Sequence, residues 1–167
     1  MEIEYCEAQS HDATKLIDYL NLVAGQSDNL TFGKNGCTLN VVQEMQLIQE
    51  MHDDPSSVMI LAKDGDKIIG SANLSGNRKE RLKHRGSIGV SVLKEYWHQG
   101  IGSNLIATII GYAIEANLEI LDLEVVTTNE NAIALYQKYG FEIIGTYENF
   151  MKIDDHYLDV YLMNLYL

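Results

Sequence analysis

Two glycines, Gly100 and Gly102, lie where a predicted strand runs into the longest predicted helix. The first N–H groups of a helix have no acceptor within it and carry the positive end of the helix dipole. Glycine brings no Cβ atom to such a turn, so an anion can approach the backbone closely. The sequence therefore predicts a phosphate-binding turn, although a tight turn that serves only helix packing would have the same glycines. The residues of this turn are Trp97, His98, Gln99, Gly100, Ile101, Gly102 and Ser103.

Two other phosphate-binding motifs do not fit the chain. A dinucleotide-binding fingerprint needs a third glycine at the position that Leu105 occupies. A Walker loop needs Ser or Thr after Gly-Lys, but Gly33 and Lys34 are followed by Asn35. The sequence therefore disfavours a nucleotide-binding domain of either kind.

A second polar segment begins where a later predicted strand ends, at Asn129 and Asn131, and continues into a short helix that carries Tyr136. Asn131 is a suitable N-cap, and Gly140 is suited to end the helix. Taken alone, this pattern is typical of a capped helix with an aromatic residue in the core.

The elements that must position these residues follow from the spacing of apolar residues. Strands first joined by hairpins and then alternating with helices predict an α/β fold with a mixed sheet. We expect one domain over residues 1–167. The predicted strands are 3–8, 58–63, 67–75, 85–92, 120–127, 141–147 and 159–165, and the predicted helices are 10–24, 40–51, 100–116 and 131–139.

The composition excludes several classes of protein. The 167 residues include 24 acidic and 12 basic side chains, a net charge of −12 that argues against nucleic-acid binding. The longest apolar stretch, 105–114, is too short to cross a membrane, and the start of the chain lacks the apolar region of a signal peptide. Two cysteines are typical of a reduced, cytosolic protein. The histidines show no metal-ligand spacing, so we expect no metal site.

Together, the two segments resemble the GCN5-related N-acetyltransferase (GNAT) family. The glycine turn matches the family's pyrophosphate motif Q/R-x-x-G-x-G/A, with Trp97 at the Gln/Arg position, and NENAIALYQKYGF matches its next motif. The order of elements fits over nearly the whole chain. The resemblance implies a mixed, mostly antiparallel central sheet flanked by helices. It also implies transfer of acetyl from acetyl-CoA to a primary amine by direct attack.

The resemblance also implies roles for individual residues. The family's splayed fourth strand, here Ile88 to Val92 and including Val90, offers backbone groups to the pantetheine arm and the thioester. Asn129 and Asn131 are expected at the cofactor. The family's general acid, which protonates the leaving thiolate, corresponds to Tyr136.

The sequence specifies the general base, which would deprotonate the amine, less clearly than the other catalytic groups. Glu124 lies twelve residues before Tyr136, the spacing of an acid–base pair in the ribosomal-protein N-terminal acetyltransferases of this family. The same sequence would be expected if the Glu124 carboxylate only accepted a hydrogen bond near the strand edge. A proton path relayed by water is a third alternative.

The acceptor stays open between a polyamine-like small amine, a protein N-terminus or lysine, and an amino sugar. The acidic balance favours a cationic amine, and five carboxylates could attract it: Glu44, Glu50, Asp154, Asp155 and Asp159. On the second helix, Val41, Met45 and Ile48 predict the buried face, leaving Glu44 on the polar face. The basic segment 77–85 reads as a solvated hairpin loop.

Two further alternatives concern the protein as a whole. A non-catalytic acyl-CoA-binding regulatory module on the same fold would have no need of a positioned acid at Tyr136. The family's frequent dimers leave a homodimer open.

Overall fold

The computed structural model describes residues 2–34 and 36–167. Seven strands form one sheet in the order β1-β2-β3-β4-β5-β7-β6, and every neighbouring pair is antiparallel except β4 and β5. The predicted mixed, mostly antiparallel sheet flanked by helices is confirmed. In chain order the elements are β1 Ile3–Glu7, α1 Ala13–Ala24, α2 Val41–Asp53, β2 Val58–Asp64, β3 Lys67–Gly76, β4 Arg85–Val92, α3 Ile101–Glu115, β5 Ile120–Val126, α4 Glu130–Lys138, β6 Glu142–Ile153 and β7 His156–Tyr166.

Short-range sequence signals explain several element ends. Asn40 caps α2 through a capping box with Gln43, in which both hydrogen bonds measure 2.9 Å. Gly65 has a φ of +58° in the β2–β3 turn, and Gly140, with a φ of +93°, follows α4. The end of α4 before Gly140 was expected from the sequence.

The start of α4 corrects one expectation. Asn129, and not Asn131, is the N-cap, because its side chain accepts the Ala132 N–H at 3.4 Å. Asn131 lies in the first turn of the helix. Both asparagines have the chemistry of a cap, and the choice depends on β5 ending at Val126, which the sequence left uncertain.

The last hairpin is longer than predicted. Strand β6 runs to Ile153 and β7 begins at His156, so residues expected to form a loop pair across the hairpin. The pairing contains an irregularity between Tyr147 and Met151, where Asn149 has a φ of +53°. Most of β6 is exposed, so no alternation of apolar and polar residues marked its full length in the sequence.

The helices cover the two faces of the sheet. Leu105, Ile106 and Ile109 of α3 are fully buried against one face, where Gly70 allows close contact. Helices α1 and α2 pack on the other face, towards which Ser91 points to meet Tyr19 of α1. Side chains alternate along a strand, so each strand contributes to both layers. Within residues 2–34 and 36–167, no helix combines the length and apolar character needed to cross a bilayer.

The sheet opens between its two parallel strands. Strand β4 pairs with β3 along most of its length, from Gly86 to Val92, but it pairs with β5 only from Arg85 to Ser87. Beyond Ser87 the two strands diverge, which leaves the β5-facing edge of residues 88–92 without a strand partner. We call this opening the seam.

Candidate functional site

A cavity of ≈ 920 Å³ lies at the seam. Its lining includes residues 88–92 of β4, the start of α3, the β5–α4 connection, and parts of α1 and the α1–α2 connection. All the residues that the sequence singled out for acetyl-CoA or catalysis line it, except Gln99. The Gln99 side chain donates to the backbone oxygen of Glu95 instead, at 3.1 Å.

The turn before α3 has the geometry of an anion site. Gly100 precedes the helix with a φ of +81°, a left-handed conformation that favours glycine, and a Cβ there would enter open space. The first hydrogen bond of the helix joins the Asn104 N–H to the Gly100 oxygen at 3.0 Å. The N–H groups of Ile101, Gly102 and Ser103 therefore have no acceptor in the helix and border the cavity.

Gly102 lines the cavity and also lies against α4. A Cβ at this position would lie 3.3 Å from Leu135 Cδ2 of α4. Ser103 also contacts α4, since its Oγ lies 2.7 Å from the Tyr139 hydroxyl, which donates to the Ser103 backbone oxygen at 2.9 Å. Gly100 therefore leaves room in the cavity, whereas Gly102 lets α3 and α4 pack closely.

Trp97 occupies the position at which the family motif has Gln or Arg. Its indole N–H donates to the backbone oxygen of Val92, the last residue of β4, at 2.7 Å. The Lys94 ammonium lies 6.0 Å from the centre of the ring. Next to it, His98 lines the cavity with a φ of +62°. Trp97 thus connects the glycine turn to the edge of the seam.

Tyr136 is buried at the cavity, packed edge-on against Phe141 with ring centres 5.7 Å apart. Burial raises the pKa of its phenol to about 12, because the charged form would lose hydration. No described residue hydrogen-bonds its hydroxyl. The cavity therefore contains a neutral phenol that keeps its proton and has a free hydrogen-bonding group.

Glu124 lines the same cavity as Tyr136. Along β5, Leu123 and Val125 point into the core, while the exposed Glu124 side chain lies on the opposite face, as the alternation predicted. The structure thus brings a carboxylate on one strand and a phenol on the following helix to one cavity.

Sequence reasoning named no residue of the cavity wall that β3 forms next to α1. Ser71 and Asn73 of β3 line the cavity, and Tyr19 of α1 lies beside them, its hydroxyl 2.9 Å from Ser91 Oγ. Burial raises the pKa of Tyr19, so this hydroxyl is also neutral. A signal was present, because polar residues alternate with small apolar ones along β3, which is typical of a strand with one polar face.

The carboxylates expected to attract a cationic acceptor do not line the cavity. Glu44 is 1% exposed and burial raises its pKa, so its assignment to a polar face was wrong. Val41 and Met45, expected in the core, are instead exposed. The other four carboxylates are Glu50, which accepts from Gln46, Asp154 and Asp155 at the tip of the last hairpin, and Asp159, which accepts from the Asn149 N–H.

Among the described residues, no group of three or more His, Cys, Asp or Glu side chains could hold a metal ion.

Comparisons with known proteins identify the family of this chain. The model of the acetyltransferase (GNAT) family matches residues 30–141. The L-amino acid N-acetyltransferase AaaT of Escherichia coli is 28% identical over 117 residues, which cover 69% of this chain and 72% of that protein. N-alpha-acetyltransferase 30 of Dictyostelium discoideum is 39% identical over 82 residues, 48% of this chain and 44% of that protein.

Solved structures show the same fold. A GNAT-family acetyltransferase from Streptococcus pneumoniae superposes with a TM-score of 0.96 at 30% identity, over 99% of this chain and 100% of that one. The Salmonella typhimurium protein yncA, solved with acetyl-CoA, gives a TM-score of 0.87 at 15% identity, over 100% of this chain and 95% of that one. The chain therefore belongs to the acetyltransferase (GNAT) family, enzymes that take the acetyl group from acetyl-CoA.

Proposed function

We propose that this enzyme acetylates the α-amino group of an amino acid or of a peptide N-terminus by direct attack of the amine on acetyl-CoA. The observation that carries the proposal is that one cavity at the seam contains a helix N-terminus with free backbone N–H groups, a neutral phenol and an exposed carboxylate. Two relatives favour an α-amine, because AaaT is named for amino acids and N-alpha-acetyltransferase 30 for N-alpha acetylation.

The cavity offers acetyl-CoA two sets of backbone groups. The free N–H groups of residues 101–103 would hold the pyrophosphate. The β5-facing edge of residues 88–92 would hold the pantetheine arm, because its peptide groups have no strand partner. The cofactor supplies an activated acetyl group, and the same strand edge can polarise its carbonyl oxygen.

The residues of the chain then have to move two protons. An attacking amine must be neutral, and Glu124 takes its proton, either directly or through water. The leaving thiolate must be protonated, and Tyr136 can donate to it because its phenol stays neutral. The N-terminal amine of a peptide has a pKa of about 7.7–8.0, well below the ~10.4 of a lysine, so a larger share of it is already neutral near pH 7.

The structure bears differently on four expectations from the sequence. The polyamine acceptor loses its support, since the carboxylates that favoured it lie outside the cavity. A non-catalytic acyl-CoA-binding module would not explain the free Tyr136 hydroxyl. The cytosolic location and the homodimer remain expectations from the sequence.

An acceptor screen with a free-thiol readout tests the proposal. The acceptors are free amino acids, short peptides with a free N-terminus, spermidine, and the same peptides with a blocked N-terminus and a free lysine. We expect thiol release with the first two classes and little with the others. Release with the blocked lysine peptides or spermidine, and none with free α-amines, would falsify it.

A further inference from the structure

A second cavity, of ≈ 320 Å³, lies on the sheet face that carries Glu124, next to the seam. Glu124 lines both cavities. The remaining walls come from the end of β3, the β3–β4 connection, the start of β4, the middle of β5, and parts of β6 and β7. If Glu124 takes the proton from the acceptor amine, as proposed above, the second cavity begins where that amine is held.

The floor of this cavity contains a polar atom without a partner. Asn164 of β7 is 6% exposed, and its Oδ1 accepts no hydrogen bond from any described residue. Its Nδ2 donates to the Tyr166 hydroxyl at 3.3 Å. A buried acceptor left unsatisfied costs about 1–3 kcal/mol, so a ligand that supplied an N–H group here would remove that cost.

The wall formed by β4 and the β3–β4 connection offers hydrogen-bond donors. Arg85 donates from Nε and Nη2 to Asp122 Oδ2, at 3.3 and 3.1 Å, and Ser87 Oγ donates to Asp122 Oδ1 at 2.6 Å. The charge of Arg85 therefore balances that of Asp122, and both oxygens of Asp122 accept hydrogen bonds. Nη1 of Arg85 donates no hydrogen bond to any described residue. Asn77 accepts the Lys79 N–H through Oδ1, which leaves its amide N–H₂ available. These donors suit a carboxylate.

The β3–β4 connection, which borders the second cavity, is strongly basic. Residues 78–85 contain five basic and one acidic side chain in a chain of net charge −12. Lys83 pairs with Glu80, and Arg78 approaches Asp54 at 3.5 Å, but Lys79 and Arg81 have no carboxylate partner among the described residues. A local positive patch on an acidic protein attracts anionic ligands to this edge of the sheet.

The spacing of the strands sets the length of the ligand. Glu124 and Asp122 are alternate residues of β5, and alternate residues lie about 6.6 Å apart. A carboxylate held beside Arg85, at Asp122, would therefore lie about two extended residues, each ~3.3–3.6 Å, from an amine at Glu124. The α-carboxylate of a single amino acid is bonded to the carbon that carries the amine and cannot reach it.

We infer that the second cavity is an acceptor subsite for a peptide that carries a carboxylate one or two residues after its N-terminal amine. The N-terminus lies at Glu124, a peptide N–H meets Asn164 Oδ1, and the carboxylate meets Arg85 and Asn77. The carboxylate is either an acidic side chain or the end of a very short chain. The expected substrate class is thus acidic, opposite in charge to the one that the overall composition favoured.

Matched peptides test the inference and distinguish the two sources of carboxylate. Ala-Asp-Ala-amide is compared with Ala-Asn-Ala-amide, and Ala-Ala with Ala-Ala-amide. We expect kcat/KM to be about tenfold higher for the acidic member of at least one pair, as befits a charge-assisted hydrogen bond, with the advantage shrinking as salt rises. Equal values within both pairs overturn the inference and leave the proposed function standing.

A double variant, Lys79→Gln with Arg81→Gln, locates the effect. It should lower kcat/KM for the acidic peptide and bring the two members of the pair together, with the KM for acetyl-CoA unchanged. The control, Lys138→Gln with Lys152→Gln, removes two exposed charges elsewhere and should preserve the preference. A preference that survives in the Lys79/Arg81 variant to the same extent as in the control contradicts the role of the basic connection.

A binding measurement covers the case in which no α-amine is acetylated. Thermal unfolding of the protein with CoA is followed with each peptide, and the acidic peptide should raise Tm more than its amide. Absence of turnover then refutes the proposed function alone, and absence of a Tm difference refutes the subsite.

Discussion

The indole of Trp97 is hydrogen-bonded to the carbonyl oxygen of Val92, so the glycine turn is joined to the end of β4 by a single side chain. In this chain, the side chain at the Gln/Arg position of the family motif binds the protein's own backbone. We therefore expect Trp97 to be a positioning residue that sets the distance between the turn proposed for the pyrophosphate and the strand edge proposed for the pantetheine arm.

Trp97→Phe keeps an aromatic ring and removes the N–H donor. A hydrogen bond of this type is worth about 0.5–1.5 kcal/mol, so we expect the KM for acetyl-CoA to rise about two- to tenfold while kcat changes little. Steady-state kinetics at saturating acceptor would measure both values. An equal loss in kcat and no change in KM would show that Trp97 acts on the chemical step instead.

Gly100→Val should abolish acetyl-CoA binding, because the variant places a branched side chain in the cavity at a φ of +81°. At 100 times its Kd, a ligand stabilises the fold by about 2.7 kcal/mol. The rise in Tm that this stabilisation causes should be absent from the variant. Gly111→Ala is the control on the same helix, since open space surrounds that position. A folded Gly100→Val protein with normal affinity would exclude the turn as the pyrophosphate site.

Tyr136→Phe should lower kcat by about 10²–10⁴-fold, the usual value of general acid catalysis, and leave acetyl-CoA affinity unchanged. The raised pKa, about 12, means that the phenol keeps its proton throughout the range below pH 10. The parent enzyme should therefore show no loss of rate from Tyr136 ionisation up to that pH. Tyr112→Phe, at an exposed position on α3, serves as the control. Normal turnover by Tyr136→Phe would reduce Tyr136 to a packing residue.

Glu124→Gln keeps the size of the side chain and removes the proton acceptor. With a peptide acceptor, whose N-terminal amine has a pKa of about 7.7–8.0, the amine is protonated below that pH, so the rate loss should be greatest near pH 6–7 and should shrink towards pH 9. Glu130→Gln removes a charge from the same cavity and should show no such pH trend. A constant loss at every pH assigns Glu124 a structural role.

Gly89→Ala tests the wall that sequence reasoning missed. A Cβ at Gly89 would lie 2.8 Å from Asn73 Oδ1, so the amide must move away from β4. We expect the KM for the acceptor to rise and the KM for acetyl-CoA to stay within twofold, about the size of a minor packing change. Gly145→Ala, where nothing lies within 4 Å, is the control. A shift in the acetyl-CoA KM alone would place Asn73 on the cofactor side.

The parts of the structure that follow from local chemistry could be read from the sequence. The cap at Asn40 and the turn at Gly65 each depend on a few adjacent residues. The two motif segments were likewise readable, and they meet in one cavity because both follow strands that border the seam. The resemblance to a known family supplied the roles, which spacing alone did not.

The parts that were missed depend on how elements pack. Helix α2 has apolar residues on more than one side, and only its contacts with α1 and β2 show that Glu44 is buried while Met45 is exposed. The partnership of Tyr19 and Ser91 joins residues 72 apart in the chain, which no periodicity can indicate. The choice of Asn129 over Asn131 as the cap depended on the last residue of one strand.

The seam also determines how firmly the two parts of the sheet are joined. Strands β1–β4 and β5–β7 form two half-sheets that share only three backbone pairs, so the sheet is least connected where the reaction is proposed to occur. A molecule lying along the free edge of β4 would act as a partial additional strand between the halves. Binding of the cofactor would therefore also make the enzyme more rigid. Amide protons of residues 88–92 should exchange with solvent far more slowly in the cofactor-bound protein than in the free protein.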